Sequence, residues 1–463
     1  MRLTPAARDP GLLADLREVV GAVHVVDDPE VVASYAVDWT GRFRGPATAT
    51  AVVRPGSADE VAGVVAVCRR RGVPMVPQGG NTGMVGGGVP LSGELVVSTT
   101  RLADVGEVDG LAGQVTAGAG ATLGSVRQAA AAAGWAYGVD FAARDSCTVG
   151  GNVATNAGGL RVLRYGDTRA QVLGVEAVLG TGRTVSHLGG LLKDNTGYPL
   201  QSVLCGSEGT LGVVTAVRLR LVPPAPERVV ALLAFAATTD AVAAAGQLRR
   251  SLPALSAAEL MLAAGVQLVC DVTGVAAPFD RPHPAYLLVE AASTADPTGD
   301  LSEAVTSLDG VVDAAVADDD VRAAALWRFR EAHTEAVNAV GPPHKLDVTL
   351  PNAALAEFVD RVPGDVAAVV PDARTWLFGH VADGNIHVNV TGLDPDDERV
   401  DDAVLVLAAG YGGSISAEHG IGTAKRRWLH LNRSAAEIDA FRAIKAALDP
   451  DGILNPNVLL PPA

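Results

Sequence analysis

The sequence predicts an α+β protein with more than one domain. Its 463 residues are too many for one ordinary hydrophobic core, and 48% of them are hydrophobic. Segments typical of strands and of helices alternate along the chain from about residue 48. A proline-rich stretch, LVPPAPERVV at 221–230, interrupts this alternation and predicts a domain boundary.

The part of the chain before this boundary predicts short strands and small helices. Residues 1–45 predict a helical segment followed by irregular chain, and TATAVVRP at 48–55 predicts a strand. The next segment, SADEVAGVVAVCRRRG, predicts a helix that Ser57 caps, with Glu60 three residues later and Gly72 at its end. VPMVPQ then predicts the following strand.

The part after the boundary predicts a second α+β domain whose helices cover one face of an antiparallel sheet. VVALLAFA and AYLLVEAA predict strands, whereas TDAVAAAGQLRR and DLSEAVTSL predict helices. Near the C-terminus, SAAEIDAFRAIKAALDP predicts another helix.

Composition excludes several classes of partner. The net charge of −16 argues against nucleic acid or an anionic membrane as the main partner. No run of 18 apolar residues predicts a membrane span, and the N-terminus lacks the apolar core of a signal peptide. The four cysteines are scattered without a C-x-x-C pair, which favours a reduced, cytoplasmic setting over a disulfide framework.

Two histidines flank a predicted tight turn in FGHVADGNIHVNV, residues 378–390. Gly and Asn tolerate positive φ angles, so ADGN predicts the turn of a hairpin whose arms carry His380 and His387. A single histidine is more often a hydrogen-bonded core residue than a ligand. Two on one hairpin, with Glu418 available in SAEHGIG, predict a site for a borderline divalent ion such as Zn²⁺.

Three segments rich in small residues precede residue 223. VPQGGNTGMVGGGVP, at 76–90, holds six glycines, which let backbone N–H groups approach an anion closely. It fits neither the Walker pattern nor the Rossmann pattern, and taken alone it is equally compatible with an ordinary loop. With the segments at 145–182 and 193–223 it predicts a backbone-lined groove for an extended ligand.

Eight ordered motifs give the chain a family resemblance over roughly residues 45–460. They are PQGGNTGMVGG, GGNVATNAGG, YGDTRAQVLGVEAVLGTG, KDNTGYPL, GSEGTLGVVT, GHVADGNIHVNV, SAEHGIGTAKR and DPDGILNPNVLL. In these motifs the sequence resembles the flavin-dependent 2-hydroxyacid dehydrogenases, which share the flavin domain of the vanillyl-alcohol oxidase superfamily. Within that family, members that oxidise D-2-hydroxyglutarate resemble it most.

The resemblance implies an FAD lying extended in a two-subdomain α+β unit. It implies that the pyrophosphate is cradled by the first glycine-rich loop, at Gly79, Gly80, Asn81, Thr82 and Gly83. It implies that the ribityl chain and isoalloxazine are lined by Gly150, Gly151, Asn152, Asn156, Gly158 and Gly159. The adenine, or the chain returning past it, would lie near Glu208, Gly209 and Val213, and the set is completed by Pro77, Met84, Ser146 and Asn455. No histidine lies between His24 and His187, so we expect non-covalent FAD.

The resemblance also implies roles for the metal and substrate residues. The ion would polarise the α-hydroxyl, and His419, next to Glu418, would accept its proton while the Cα hydrogen leaves as hydride to flavin N5. If the backbone at Glu418 and His419 is extended, their side chains point apart. The alternative for His419 is a fourth metal ligand.

Residues that hold the substrate carboxylates are implied in the same way. LWRFREAHTEAV (326–337) predicts one helix with Arg330 and Thr334 on one face, and HKLDVTLP predicts a strand with Lys345. The resemblance assigns these three and Asn389 to the carboxylates. Lys345 favours a dicarboxylate, because a monocarboxylate would leave its buried ammonium without a partner, which is costly. His344 and His333 depart from the expected pattern and leave the substrate's chain length open.

The resulting prediction divides the chain into 1–45, an FAD-binding domain at 46–223, a substrate (cap) domain with the metal hairpin at 224–415, and a C-terminal segment at 416–463 that packs back on the FAD domain. The predicted activity is oxidation of D-2-hydroxyglutarate to 2-oxoglutarate. D-lactate or glycolate oxidation, and a non-catalytic flavin- or metal-binding protein, are the alternatives. The electron acceptor could be an electron-transfer flavoprotein, a quinone or a cytochrome, and the oligomeric state is open, with a homodimer as one candidate.

Overall fold

The computed structural model describes residues 10–44 and 50–462. Predictions made for residues 1–9 and 45–49 lie outside this range. In chain order the strands are β1 (Val25–Val26), β2 (Val52–Val53), β3 (Met75–Gln78), β4 (Leu95–Ser98), β5 (Gln114–Gly118), β6 (Val172–Leu179), β7 (Thr184–His187), β8 (Gly212–Arg220), β9 (Glu227–Phe235), β10 (Leu255–Leu262), β11 (Ala285–Ser293), β12 (Val311–Ala317), β13 (His344–Thr349), β14 (Arg374–His380) and β15 (Asn385–Thr391).

Helices make up most of the remaining regular structure. They are α1 (Pro10–Val20), α2 (Pro29–Tyr35), α3 (Ala58–Arg71), α4 (Leu123–Ala132), α5 (Val149–Thr155), α6 (Val162–Tyr165), α7 (Thr168–Gln171), α8 (Leu200–Leu204), α9 (Thr238–Ser251), α10 (Ala263–Thr273), α11 (Thr298–Thr306), α12 (Asp320–Glu331), α13 (His333–Ala339), α14 (Asn352–Val369), α15 (Arg399–Gly410) and α16 (Ala435–Leu448), with short 3-10 helices at Ala22–His24 and Arg426–Leu431. None of these helices is both long and apolar enough to cross a membrane.

Two compact units divide the described chain. Unit 1 comprises Met1–Gly159, Tyr165–Pro223 and Glu418–Ala463, and unit 2 comprises Leu160–Arg164 and Pro224–Ala417. The four-segment domain division predicted from the sequence remains a prediction.

Unit 1 contains two four-stranded sheets, each with its own hydrophobic core. The first has the order β1-β2-β4-β3, with β2, β4 and β3 parallel, and α1 and α3 pack on it. The N-cap of α3 is Ser57, whose side chain accepts from the Glu60 amide, and Gly72 ends the helix in the left-handed region, as predicted. The second sheet has the order β5-β8-β6-β7 and is antiparallel throughout.

Unit 2 is built on a seven-stranded antiparallel sheet in the order β12-β9-β11-β10-β14-β15-β13. Residues of α10, α12 and α13 pack with Met261 and Leu288 into a core on one face. On the other face, His344 of β13 binds Asp401 of α15. Helices therefore cover both faces, so the prediction of one covered face was wrong. The neighbouring strands β9 and β11 are buried almost throughout, and an apolar strand needs cover on each side.

Register places a group of polar side chains on one face of this sheet. Directly opposed residues of antiparallel strands point to the same side. Lys345 opposes Asn389, Asp347 opposes His387, and Glu259 opposes His380. We call these six residues the polar patch. Because α12 covers part of the same face, side chains from that helix can reach the patch.

Candidate active site

The two predicted imidazoles lie together on a tight hairpin of unit 2. Residues 381–384 connect β14 to β15, and Gly384 adopts a φ of +86° at a position where a Cβ would lie 2.3 Å from the Leu350 carbonyl oxygen. The hairpin predicted from ADGN is confirmed. Across it, Nε2 of His380 lies 3.4 Å from Nε2 of His387.

A buried carboxylate from a neighbouring strand contacts the other nitrogen of each imidazole. His380 Nδ1 lies 2.7 Å from Glu259 Oε1, and His387 Nδ1 lies 3.1 Å from Asp347 Oδ1. Asn385 donates to the same Asp347 oxygen at 2.8 Å. An ionised carboxylate only accepts hydrogen bonds, so each imidazole presents an Nδ1–H to its carboxylate and turns its Nε2 towards the other ring. A pair of imidazoles whose outer nitrogens are backed by carboxylates and whose Nε2 atoms converge is typical of histidines that bind a metal ion.

The charge state of Glu259 supports this arrangement. Burial alone would raise its pKa, but the nearby His380 and the Arg330 guanidinium lower the pKa to about 2. The side chain is therefore ionised at neutral pH. Both of its oxygens are used, because Arg330 Nε donates to Oε2 at 2.6 Å.

Arg330 reaches the polar patch from α12 and is 7% exposed. Its guanidinium also stacks over Phe378, 4.7 Å from the ring centroid, which restricts its orientation. The predicted single helix over 326–337 was wrong, since α12 ends at Glu331 and α13 begins at His333. Thr334 is consequently half-buried in the first turn of a separate short helix.

Lys345 and Asn389 lie directly opposite each other on β13 and β15. Burial lowers the pKa of the lysine to about 8, so its ammonium remains mostly protonated at neutral pH. Asn389 is buried and donates to the Trp376 carbonyl at 3.4 Å. Lys345 is two residues from Asp347 on one strand, which brings a cation to the same face as the imidazole pair.

The two histidines that departed from the family pattern have structural partners. His344 faces the opposite side of the sheet, with Nδ1 2.5 Å from Asp401 Oδ2 and Nε2 3.1 Å from the Asp394 carbonyl. His333 is buried against Phe378, with ring centroids 4.7 Å apart, and burial lowers its pKa to about 3. It is therefore neutral at physiological pH.

The first glycine-rich segment of unit 1 forms a closely packed loop after β3. A Cβ on Gly79 would lie 2.1 Å from Thr148 Oγ1, and one on Gly80 would lie 1.8 Å from the Ser146 carbonyl oxygen. Only glycine permits this approach of the two glycine-rich segments. Gly83, by contrast, is exposed and has no neighbour within 4 Å of a built Cβ, while Thr82 and Met84 are half-buried.

Four of the predicted cofactor residues have left-handed backbones. Among the described residues, five non-glycine residues have positive φ, and four of them are Asn81, Asn156, Glu208 and Asn455. Such conformations are unfavourable and tend to concentrate at ligand sites. Local contacts hold them: Asn81 donates to the Val37 carbonyl at 2.8 Å.

Glu208 and Asn455 tie several loops of unit 1 together. The Glu208 carboxylate accepts from the amides of Ile421 and Gly422 at 2.8 and 2.7 Å, and burial raises its pKa. Asn455 Nδ2 donates to the carbonyls of Glu208 and Gly87, each at 2.8 Å. These side chains therefore position the glycine-rich loop, and sequence reasoning did not anticipate that function. Gly209 lies against Pro77, because a Cβ there would be 3.2 Å from Pro77 Cγ.

The second glycine-rich segment forms α5 and the turn after it. Gly150 allows close packing on Ala119, and Gly151 donates to the capping Thr148 hydroxyl at 3.3 Å. Asn152 and Gly158 are buried, whereas Ser146 is exposed. The side chain of Asn156 is engaged by Asp167 at 2.7 Å.

Val213 differs from the other predicted cofactor residues. It is 1% exposed and belongs to the hydrophobic core around α3. That location favours a packing role, and its contact with a cofactor remains a prediction.

Glu418 and His419 belong to unit 1 and are half-buried in a bend. The extended backbone assumed for this dipeptide was wrong, so strand alternation does not separate the two side chains. Glu418 Oε1 accepts from the Gly159 amide at 2.7 Å, next to the second glycine-rich segment. A metal site that combines Glu418 with His380 and His387 is part of the proposal below.

Comparisons with known proteins identify the family of the chain. Residues 49–187 match the family described as FAD binding domain, and residues 225–459 match the C-terminal domain of FAD linked oxidases. The chain is 38% identical to D-2-hydroxyglutarate dehydrogenase of Xanthomonas citri pv. viticola over 97% of each chain. The chain belongs to the FAD-linked oxidase family. The mitochondrial D-2-hydroxyglutarate dehydrogenase of Bos taurus is 39% identical over 97% of this chain and 83% of its own.

This FAD-linked oxidase also has structural neighbours. A crystal structure of p-cresol methylhydroxylase with substrate bound covers 98% of each chain with a TM-score of 0.77 and 16% sequence identity. That likeness bears on the fold alone. The predicted membership of the FAD-binding 2-hydroxyacid dehydrogenases and the α+β fold of the vanillyl-alcohol oxidase type are confirmed.

The residues of unit 1 fit the FAD that the family binds. Gly79 and Gly80 let the first glycine-rich loop pack its backbone against Ser146 and Thr148 of the second segment, and Gly83 has open space around a built Cβ. A ligand at this loop would therefore meet backbone and not bulky side chains. The chain is thus an FAD-dependent enzyme.

Sequence reasoning missed the carboxylates behind the imidazoles. Glu259 is a lone acid in the apolar strand LSAAELML, and Asp347 alternates with Lys345 in HKLDVT. An acid in an otherwise apolar strand is rarely buried without a partner, and this signal could have identified both.

Proposed function

We propose that the chain oxidises D-2-hydroxyglutarate to 2-oxoglutarate with FAD and a divalent cation. The observation that carries the proposal is the pair of Nε2 atoms 3.4 Å apart, each ring backed by a carboxylate, on the same sheet face as Lys345. Relatives named D-2-hydroxyglutarate dehydrogenase, 32–39% identical over nearly the full chain, support the substrate.

The proposed cation ligands are His380, His387 and Glu418. Two imidazoles and a carboxylate suit a borderline ion, and Zn²⁺ is the candidate. When bound, the cation supplies a Lewis acid for the α-hydroxyl of a 2-hydroxy acid. Glu259 and Asp347 contact Nδ1 of the two rings and would leave each Nε2 to bind the ion.

Non-covalent FAD is proposed to lie along the glycine-rich segments of unit 1. Bound FAD supplies the acceptor for the hydride that leaves the substrate Cα. The pyrophosphate is assigned to residues 79–83, and the ribityl chain and isoalloxazine to the segment from Gly150 to Gly159. Asn455 and Glu208 keep the loop at 79–88 in place.

His419 is the proposed base. It accepts the hydroxyl proton while the Cα hydrogen departs with both bonding electrons, so the alcohol becomes a ketone and no other bond breaks. A role as fourth metal ligand is the alternative.

Arg330, Thr334, Lys345 and Asn389 are proposed to hold the substrate carboxylates. Glu259 takes only the Nε of Arg330, so the terminal nitrogens keep the planar fork that suits a carboxylate. Lys345 supplies a point charge opposite Asn389. Two cations on this face favour a dicarboxylate over D-lactate or glycolate, which remain the alternative substrates.

Anaerobic flavin reduction tests the proposal directly. The purified protein is mixed with D- and L-2-hydroxy acids, with and without a chelator, and flavin absorbance is followed. We expect D-2-hydroxyglutarate to bleach the flavin fastest and the chelator to slow it. Faster bleaching by D-lactate would support the alternative substrate, and absence of flavin bands would contradict both. The electron acceptor remains a prediction, with an electron-transfer flavoprotein, a quinone or a cytochrome as the candidates. The homodimer and the cytoplasmic location also remain predictions.

A further inference from the structure

Glu259 contacts both a residue of the proposed metal site and a residue of the proposed substrate site. It lies on β10, directly opposite His380 of β14, and is fully buried. One carboxylate oxygen contacts a proposed metal ligand and the other contacts a proposed substrate-binding residue, at 2.7 and 2.6 Å. We propose that Glu259 is a positioning residue that orients His380 for the metal and Arg330 for the substrate carboxylate through one side chain.

The His380 contact fixes which ring nitrogen is available. Because Glu259 Oε1 lies 2.7 Å from Nδ1, the ring that binds a metal would carry its proton on Nδ1 and present its Nε2 lone pair to the ion. An outer carboxylate of this kind also holds the ring plane. Loss of such a partner generally weakens metal binding by about 10- to 100-fold.

The Arg330 contact fixes the guanidinium at a second point. Nε is held by Glu259 Oε2, and the planar group lies over Phe378. Two restraints on a long side chain leave the terminal nitrogens aimed in one direction, so less conformational entropy is lost when a carboxylate binds. Without Glu259, Arg330 would still be charged but would lose this orientation.

The sheet provides a matched control in Glu290. This carboxylate is 1% exposed, lies on the adjacent strand β11 and binds α12 through Trp327 Nε1 at 3.1 Å. Its other oxygen accepts from Ser256 at 2.8 Å and from the Arg161 guanidinium at 3.3 Å. Glu290→Gln therefore perturbs a buried strand carboxylate under the same helix without altering a contact of His380 or Arg330.

Two binding measurements on the FAD-loaded full chain test the inference, which rests on the proposed function. The first is Zn²⁺ affinity, measured by competition with a chromophoric chelator. The second is binding of glutarate to metal-free protein, followed by perturbation of the flavin spectrum, since glutarate has both carboxylates but no α-hydroxyl. Neither measurement requires turnover.

We expect Glu259→Gln to weaken Zn²⁺ by about 10- to 100-fold and glutarate by at least several-fold. His380→Ala should weaken only Zn²⁺, Lys345→Met only glutarate, and Glu290→Gln neither. If Glu259→Gln does not fold, Glu259→Asp serves, because the shorter acid cannot reach both partners and should weaken both ligands.

The possible failures are distinguishable. A substitution of Glu259 that weakens only one ligand, or neither, overturns the positioning role while leaving the proposed function intact. A wild-type protein that binds no Zn²⁺ overturns the proposed metal site itself, and the inference with it. Equal losses in Glu290→Gln and Glu259→Gln would assign the effect to general destabilisation and overturn the specific role.

Discussion

Lys345 lies directly opposite Asn389 in the seven-stranded sheet, two residues from the Asp347 that contacts His387. A cation and an amide thus stand beside the proposed metal site on one face. This relationship gives the substrate preference a structural basis that can be tested at single side chains.

Replacing Lys345 with Met should weaken D-2-hydroxyglutarate and leave D-lactate nearly unchanged. The methionine keeps the apolar stem and removes the charged hydrogen bond, which contributes about 1–3 kcal/mol, or roughly 5- to 150-fold in kcat/KM. Steady-state kinetics with both acids measure the difference. Equal losses for the two would contradict a role in binding the second carboxylate.

The pH dependence of kcat/KM should reflect the titration of Lys345. Its pKa of about 8 lies below the ordinary 10.5, so the free enzyme loses the ammonium as pH rises past 8. We expect kcat/KM for D-2-hydroxyglutarate to fall above that pH while D-lactate does not follow, and Lys345→Arg to abolish the fall, since arginine stays charged.

The free energy of unfolding should change with pH in the direction opposite to kcat/KM when Lys345 loses its proton. The unfolded chain keeps the proton that the folded chain releases, so this residue's contribution to the unfolding free energy rises between about pH 8 and 10.5. Denaturant unfolding of the wild type and Lys345→Met across that range measures it. A difference between the two that does not change with pH would contradict the expectation.

Replacing His387 with Ala should remove the metal while FAD remains bound. The imidazole belongs to the unit 2 hairpin, whereas the glycine-rich segments belong to unit 1. Metal content by elemental analysis and the flavin-to-protein absorbance ratio measure the two separately. His430→Ala, at an exposed imidazole, is the control. Full metal stoichiometry in the His387 variant would exclude this ligand.

Replacing Gly80 with Ala should lower the FAD content while the metal remains bound. The new Cβ would lie 1.8 Å from the Ser146 carbonyl oxygen, so the loop must move and FAD content should fall. Gly110→Ala is a matched control, because its Cβ has no neighbour within 4 Å. Normal FAD content in Gly80→Ala would show that the cofactor does not depend on this loop.

Replacing His419 with Asn should slow flavin reduction by about 10²- to 10⁴-fold if the imidazole is the base. Substrate affinity should change little, because the amide keeps some hydrogen-bonding capacity. Anaerobic stopped-flow reduction over a range of pH measures both. Loss of metal in this variant would instead favour the role of fourth ligand.

Local chemistry explains what could be predicted from the sequence. The hairpin at 378–390 follows from Asp-Gly-Asn between apolar arms, and α3 follows from Ser57 and Gly72, because caps and turns depend on a few neighbouring residues. Local pattern also misled. The continuous period over 326–337 concealed the break between α12 and α13, where Nδ1 of the buried His333 lies 2.6 Å from the Phe329 carbonyl oxygen.

The sequence by itself determined the two imidazoles on one hairpin, the glycine-rich loops and the family, since each is recognised from short contiguous motifs. Only the tertiary structure decided that Glu259, 121 residues before His380, would lie against it and bind Arg330 as well. Strand order brings these residues together, and no local pattern encodes which distant strands will pair. The physical reason is that pairing is selected by burial of whole sheet faces, whereas turns and caps are selected by the residues that form them.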